Sequence, residues 1–130
     1  MLAVLLLISI LGSVSFSVGA QTLDNYRLEK AAKQLVSDLR ETREKAIAEN
    51  VWQQIKFYPS SNMYRILKAG VRVEDVTLDK GVTLKSGYLD ISFYPTGVPS
   101  VGATIILGNN RGKELKVIIA PVTGRVRISS

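Results

Sequence analysis

Hydrophobic and polar positions fall into three regimes along the chain. From Met1 to Leu23 no side chain is charged and apolar residues dominate, as in MLAVLLLISILGSVSFSVGAQ; the first charge is Asp24. From Asp24 to Asn50 the apolar residues become periodic. Leu28, Ala32, Leu35, Leu39 and Ala46 recur at steps of three, four or seven, with charges between them, which predicts an amphipathic helix. Leu28, Ala32, Leu35 and Leu39 are its expected packing stripe against a sheet. No proline occurs before Pro59, and Gly12 and Gly19 weaken a helix without ending it, so one helix is expected from Met1 to about Asn50. At 1.5 Å per residue it would be about 75 Å long. Glu29 with Lys33 and Glu41 with Lys45 stand four apart in the favourable order on its exposed face.

After Asn50 the period shortens to two. VWQQIKF, MYRILKAG, VRVEDVTL, VTLKS, LDISFYP, ATIILG, ELKVIIA and RVRIS read as short strands. YPSSN, DKG, PTGVPSVG, NNRGK and PVTG separate several of them as turns. Strands following a helix without βαβ alternation predict an α+β fold: a long N-terminal helix packed on an antiparallel sheet or sandwich. The expected parts are an apolar helix over 1–23, an amphipathic helix over 24–50 and a β-rich head over 51–130.

The opening run admits three readings: a signal peptide, a membrane anchor or a buried soluble helix. A secretory signal would use Val18, Gly19 and Ala20 as its cleavage end but lacks a basic start. A membrane anchor fits its length, since a helix needs about 20 apolar residues to cross a bilayer. The uninterrupted helical pattern beyond Leu23 favours the anchor, with the first half of the helix in lipid and the second outside.

Composition removes much chemistry. The chain has neither cysteine nor histidine, which excludes disulfides, thiolate nucleophiles, most zinc sites and the commonest general base. Asp75, Asp79 and Asp90 have no spacing that suggests a metal cluster or an acid–base pair. GNNRGKE is one residue short of phosphate-loop spacing between Gly108 and Gly112, and Glu114 stands where a hydroxyl would bind magnesium, so it reads as a hairpin turn. GVPSVG, from Gly97 to Gly102, reads as strand punctuation. Trp52, Phe57, Tyr58, Tyr64, Phe93 and Tyr94 are expected in the core or at its rim. Neither a catalytic centre nor a cofactor is expected.

Three stretches carry a family resemblance: the apolar start MLAVLLLISILG, the amphipathic end ETREKAIAEN, and SFYPTGVPSVGATIILGNNRGKELKVIIAPVTGRVRIS. Together they resemble the GspH/FimT branch of the type IV pilin superfamily, the minor pilins and pseudopilins of type IV pili, type II secretion systems and competence machinery. In that family a phenylalanine-led cleavage motif and a glutamate stand just ahead of a stretch like MLAVLLL, and a peptidase cleaves and methylates there. Both are absent here, so the resemblance implies a late start or a trimmed chain. It further implies a single-pass protein of the inner membrane, anchored in the bilayer through 1–23, with its head in the periplasm. Its implied partners are other pilin subunits and the inner-membrane assembly platform.

Charge suggests a second role. Residues 1–50 carry six basic and six acidic side chains, whereas residues 51–130 carry eleven against five, so the head holds the whole excess of +6. Arg111, Lys113, Lys116, Arg125 and Arg127 crowd its C-terminal end, a charge pattern that suits a polyanion, a solubility surface or a contact with acidic neighbours in a filament. Strand alternation in RVRI is expected to send Arg125 and Arg127 to one face and Val126 and Ile128 inward. The two guanidiniums would then stand about 6.6–7 Å apart, close to successive phosphates of a nucleic-acid strand. In the resembled family a GRxR signature near the C-terminus is associated with DNA-binding competence pilins, and Gly124, Arg125 and Arg127 match it. The same residues also suit a charged edge strand that blocks aggregation, with Gly124 meeting a turn's dihedral needs. Two noncatalytic readings follow: a structural filament subunit, and a minor pilin that binds double-stranded DNA during uptake.

Overall fold

The structure, a computed structural model, describes the backbone of residues 2–85 and 90–130 and the side chains of 22–85 and 90–130. One helix, α1 (Leu2–Glu49), precedes eight strands: β1 (Gln53–Tyr58), β2 (Met63–Lys68), β3 (Val71–Thr77), β4 (Val82–Leu84), β5 (Asp90–Phe93), β6 (Ala103–Asn109), β7 (Glu114–Ile119) and β8 (Val126–Ser129). The helix ends where Asn50 enters the left-handed region at φ 54° and the Val51 amide donates to the Ala46 carbonyl at 3.2 Å. The apolar run expected to span a membrane lies outside the described side chains except for Thr22 and Leu23. Among the described residues no helix is long and apolar enough to cross one.

The strands form two antiparallel four-stranded sheets, ordered β3-β2-β1-β5 and β4-β6-β7-β8. Within the first, β5 returns to pair with β1 in register Ile55↔Ile91, closing the sheet on the side away from β3. Period-two burial builds the interior: Ile55 and Phe57 from β1, Ile105 and Leu107 from β6, Leu115, Val117 and Ile119 from β7. The helix touches both sheets and completes that core. Leu28, Ala32, Leu35, Leu39 and Ala46 are all 0% exposed, and Ala31 and Val36 widen the stripe. The stripe has to be wide because it covers two sheets rather than one.

The aromatics divide between the core and its rim. Phe57, Tyr64 and Phe93 are buried, whereas Trp52 and Tyr94 are 40% and 45% exposed. Trp52 precedes β1 and covers Gly70 in the β2–β3 turn, and Tyr94 follows β5, so both lie past the ends of their strands where alternation no longer applies. Strand β3 is exposed or half-exposed throughout. Its pairing with β2 slips between Ile66↔Glu74 and Leu67↔Arg72, leaving Val73 as an extra residue. Such a bulge, with Arg72, Glu74 and Asp75 beside it, disrupts the free edge as a template for another strand. Arg65 grips Asp75 at 2.7 Å, and this hydrogen bond holds the Asp75 carboxyl below the usual carboxylate range.

A polar contact is set into the apolar stripe. Asp38, 7% exposed, accepts from the buried Tyr64 hydroxyl and from Gln34 Nε2 at 3.0 Å, and Thr42 Oγ1 donates to its carbonyl at 2.7 Å. Burial, then the bond to Asp38 and that carboxylate's charge, raise the Tyr64 phenol above its ordinary value. A raised folded-state value contributes stability that is fully present below about pH 10, where the unfolded phenol is still protonated, and is lost as pH rises beyond. Tyr64→Phe is therefore expected to lose about 1.5–3 kcal/mol at neutral pH, the worth of a hydrogen bond to a charged group. Urea unfolding across pH 7–11 checks it: the gap between wild type and variant should narrow above about pH 10.

Candidate nucleic-acid interface

The GRVR segment sits where three pieces of chain meet. Strand β7 ends at Ile119, and the turn after it is closed by two bonds: Gly124 N to Ala120 O at 3.0 Å and Ala120 N to Arg125 O at 2.9 Å. Gly124 holds φ 70°, and a Cβ there would stand 2.6 Å from the Gly97 carbonyl oxygen and 2.9 Å from Arg43 Nε. Glycine is thus required twice, for its dihedral angle and for the close approach of the β5–β6 loop. Arg43 Nε donates to that same Gly97 carbonyl at 3.0 Å, and an Arg40 guanidinium nitrogen donates to the Val126 carbonyl at 2.8 Å. The two helix arginines therefore fasten the final strand and the β5–β6 loop to α1.

Neither arginine stood out in the sequence. The available signal was their spacing: Arg40 and Arg43 each follow a stripe residue, Val36 and Leu39, by four, which places them along the border of the buried face. Charge alone assigns both side chains to solvent, whereas their role is to satisfy the Val126 and Gly97 carbonyls.

Strand β8 departs in part from the expected alternation. Val126 is buried and Arg125 and Arg127 are exposed, but Ile128 is 37% exposed although it lies opposite the buried Val117. The reason is position: β8 is the edge of its sheet, and past Val126 the strand lines an open groove instead of being covered. That groove, about 520 Å³, runs between α1 and β8 with Lys33 and Arg40 on one wall and Arg127 on the other; Glu41 and Glu44 share the helix wall.

The five basic residues of the C-terminal end do not form one patch. Ile118 faces Arg127 and Lys116 faces Ser129 across the β7–β8 ladder, so Lys116 and Arg127 are diagonal neighbours on the outer face, about 7–8 Å apart. Arg125 adjoins them, and among the described residues no carboxylate pairs with any of the three. Arg111 and Lys113 lie in the β6–β7 turn and face the helix instead: Arg111 Nε meets Asp24 at 3.0 Å and Lys113 Nζ meets Glu29 at 3.8 Å. Asn109 organises this turn, its Oδ1 accepting from the Arg111 and Lys113 amides at 3.0 and 3.1 Å and its Nδ2 donating to Asn25 at 3.1 Å. GNNRGKE is accordingly a docked hairpin turn. Glu29, expected beside Lys33, reaches across to Lys113, while Glu41 does pair with Lys45 at 3.0 Å. Among the described residues no group of carboxylates is placed to hold a metal ion.

No curated protein matches the sequence. Among solved structures, the type IV minor pilin FimU of Pseudomonas aeruginosa (strain PAO1) is similar in two crystal forms. One has a TM-score of 0.68 at 17% identity over 82% of this chain and 90% of that one; the other, 0.65 at 17% over 79% and 93%. The minor pseudopilin EpsH from the type 2 secretion system of Vibrio cholerae has a TM-score of 0.68 at 12% identity over 80% of this chain and 97% of that one. These likenesses share the arrangement of a helix on antiparallel sheets. The family model described as type II transport protein GspH matches residues 31–124, from near the start of the buried helical stripe to the glycine of GRVR. The chain belongs to that family, the GspH/FimT-type minor pilins and pseudopilins of the type IV pilin superfamily.

Proposed function

We propose that the chain is a minor structural subunit of a membrane-rooted filament, its residues 1–23 in the bilayer and later in the filament core, its head in the periplasm. The observation that carries this reading is the unbroken helix Leu2–Glu49: a run uncharged to Leu23 flows directly into a stripe that two sheets bury. Such a helix offers other subunits its first half while its second half carries the head. Membership of the family supports neighbouring pilin subunits and an inner-membrane assembly platform as partners. Expressed whole, the protein should float with membranes and require detergent for release, and a fragment beginning at Asp24 should be soluble with its β content retained. Recovery of the full chain in the soluble fraction, shortened at Ala20, would overturn the anchor.

A second reading rests on Lys116, Arg125 and Arg127, which share one outer face without a carboxylate partner among the described residues. On this reading the face binds DNA through phosphates and not bases, and the subunit acts in DNA uptake. Arginine suits the task because its guanidinium can bind phosphate through two parallel hydrogen bonds. The protein should bind duplex DNA without sequence preference and lose affinity steeply with salt. Arg125→Gln with Arg127→Gln should remove most of that affinity. Equal binding by wild type and folded double variant in a salt titration would return the pair to edge protection.

A further inference from the structure

We infer that the base of the head, where α1 leaves the uncharged run, is a docking collar for anionic phospholipid headgroups. The inference rests on the anchor reading above and adds a second, charge-based contact between head and bilayer. It starts from an asymmetry in the ion pairs. Asp24 and Glu29, the two carboxylates nearest the apolar run, are each held by a cation of the β6–β7 turn, Arg111 and Lys113. On the helix, Arg27, Lys30 and Lys33 are left without a carboxylate partner among the described residues. The β3–β4 turn adds exposed Lys80 at the same end, since Gly81 beside it abuts Asn110 of the β6–β7 turn. Six cations thus surround the junction against Asp24, Glu29 and Asp79, and two of those three acids are already paired.

The geometry suits a lipid surface. Tyr26, Lys30 and Lys33 lie about 5, 10 and 15 Å beyond Leu23 along the helix axis. Headgroups occupy about 5–7 Å outside the hydrocarbon, and their negative potential reaches about 8 Å further at physiological salt. Side chains on a helix lean toward its N-terminus, so the two lysines point back toward the bilayer. Tyr26, 60% exposed, stands at the level where tyrosine is enriched in membrane proteins, its ring against lipid and its hydroxyl in the headgroups. A rim of this kind, aromatic below and cationic above, matches an anionic interface better than the acidic face of another subunit, which would have no use for the tyrosine.

The chain has no cysteine, so Asn110→Cys in the exposed β6–β7 turn places one fluorophore at the collar. The full-length labelled protein is reconstituted into phosphatidylcholine vesicles with or without phosphatidylglycerol, each carrying a headgroup-attached nitroxide quencher. Quenching should be strong with phosphatidylglycerol, weak without it, and relieved by high salt. Each cation contributes about a fivefold preference for the anionic surface, so Lys30→Gln with Lys33→Gln should lower the docked-to-free ratio about 25-fold, and Lys30→Arg with Lys33→Arg should restore it. Quenching that ignores phosphatidylglycerol or salt overturns the collar while leaving the anchor intact. Quenching that instead follows protein density in neutral vesicles assigns the cations to a second copy and also overturns it. A chain that fails to float with either vesicle overturns the anchor and the collar together.

Discussion

Leu35→Ala is expected to cost about 2–5 kcal/mol, the range for removing a fully buried leucine and leaving a cavity its surroundings cannot refill. Leu35 is 0% exposed and belongs to the stripe that faces both sheets. Two sheets and a helix meeting at one line have little freedom to collapse inward, because moving toward the gap on one side opens a gap on the other. The upper half of the range is therefore expected. Urea denaturation followed by far-ultraviolet circular dichroism gives the number; a loss below about 0.5 kcal/mol, the scale of ordinary surface substitutions, would mean that α1 does not share one core with the sheets.

Gly124→Ala is the second large effect. Holding a non-glycine residue in an uncommon backbone region costs about 1–3 kcal/mol. Here the new methyl must also displace the Gly97 carbonyl, 2.6 Å from its position, together with the Arg43 guanidinium that binds it. The turn, the β5–β6 loop and the helix would all have to give. A stability loss above that of the dihedral strain alone is expected in the same denaturation experiment, and a variant as stable as wild type would show that the three segments do not meet. The result bears on the GRVR motif: weaker DNA binding by a Gly124 variant would report a distorted β8, so only the arginine substitutions test contact with phosphate.

These two sites mark what could be read from the sequence and what could not. Leu28, Ala32, Leu35 and Leu39 were legible because a helix repeats every 3.6 residues and burial writes that period into composition. The eight strands were legible for the equivalent reason at period two. Sheet assignment was not: nothing local to ISF or IKF shows that β5 skips back to β1 across intervening strands. The basic end shows the same limit. Arg111, Lys113, Lys116, Arg125 and Arg127 are near one another in sequence, but a hairpin lies between the first two and the last two and sends them to opposite ends of the β7–β8 ladder. Linear charge density cannot tell a cation that faces solvent from one that reaches Asp24. Gly124 reads in the sequence as a turn residue; its contact with Gly97, 27 positions earlier, is tertiary and leaves no local trace.

The three contacts that join the β6–β7 turn to Asp24, Asn25 and Glu29 act together as a torsional lock. They fix the head to the helix at its lowest point, while Arg40 and Arg43 fix it higher up, so the head cannot swivel about the helix axis. Azimuth then becomes a property of the helix alone. Each residue of α1 turns the chain by about 100° and lifts it about 1.5 Å, so a single residue inserted ahead of Asp24 would leave the head intact yet aim Lys116, Arg125 and Arg127 more than a quarter-turn away. In any array built on the first twenty residues, the number of residues in that segment, and no feature of the head itself, decides the direction in which the basic face looks.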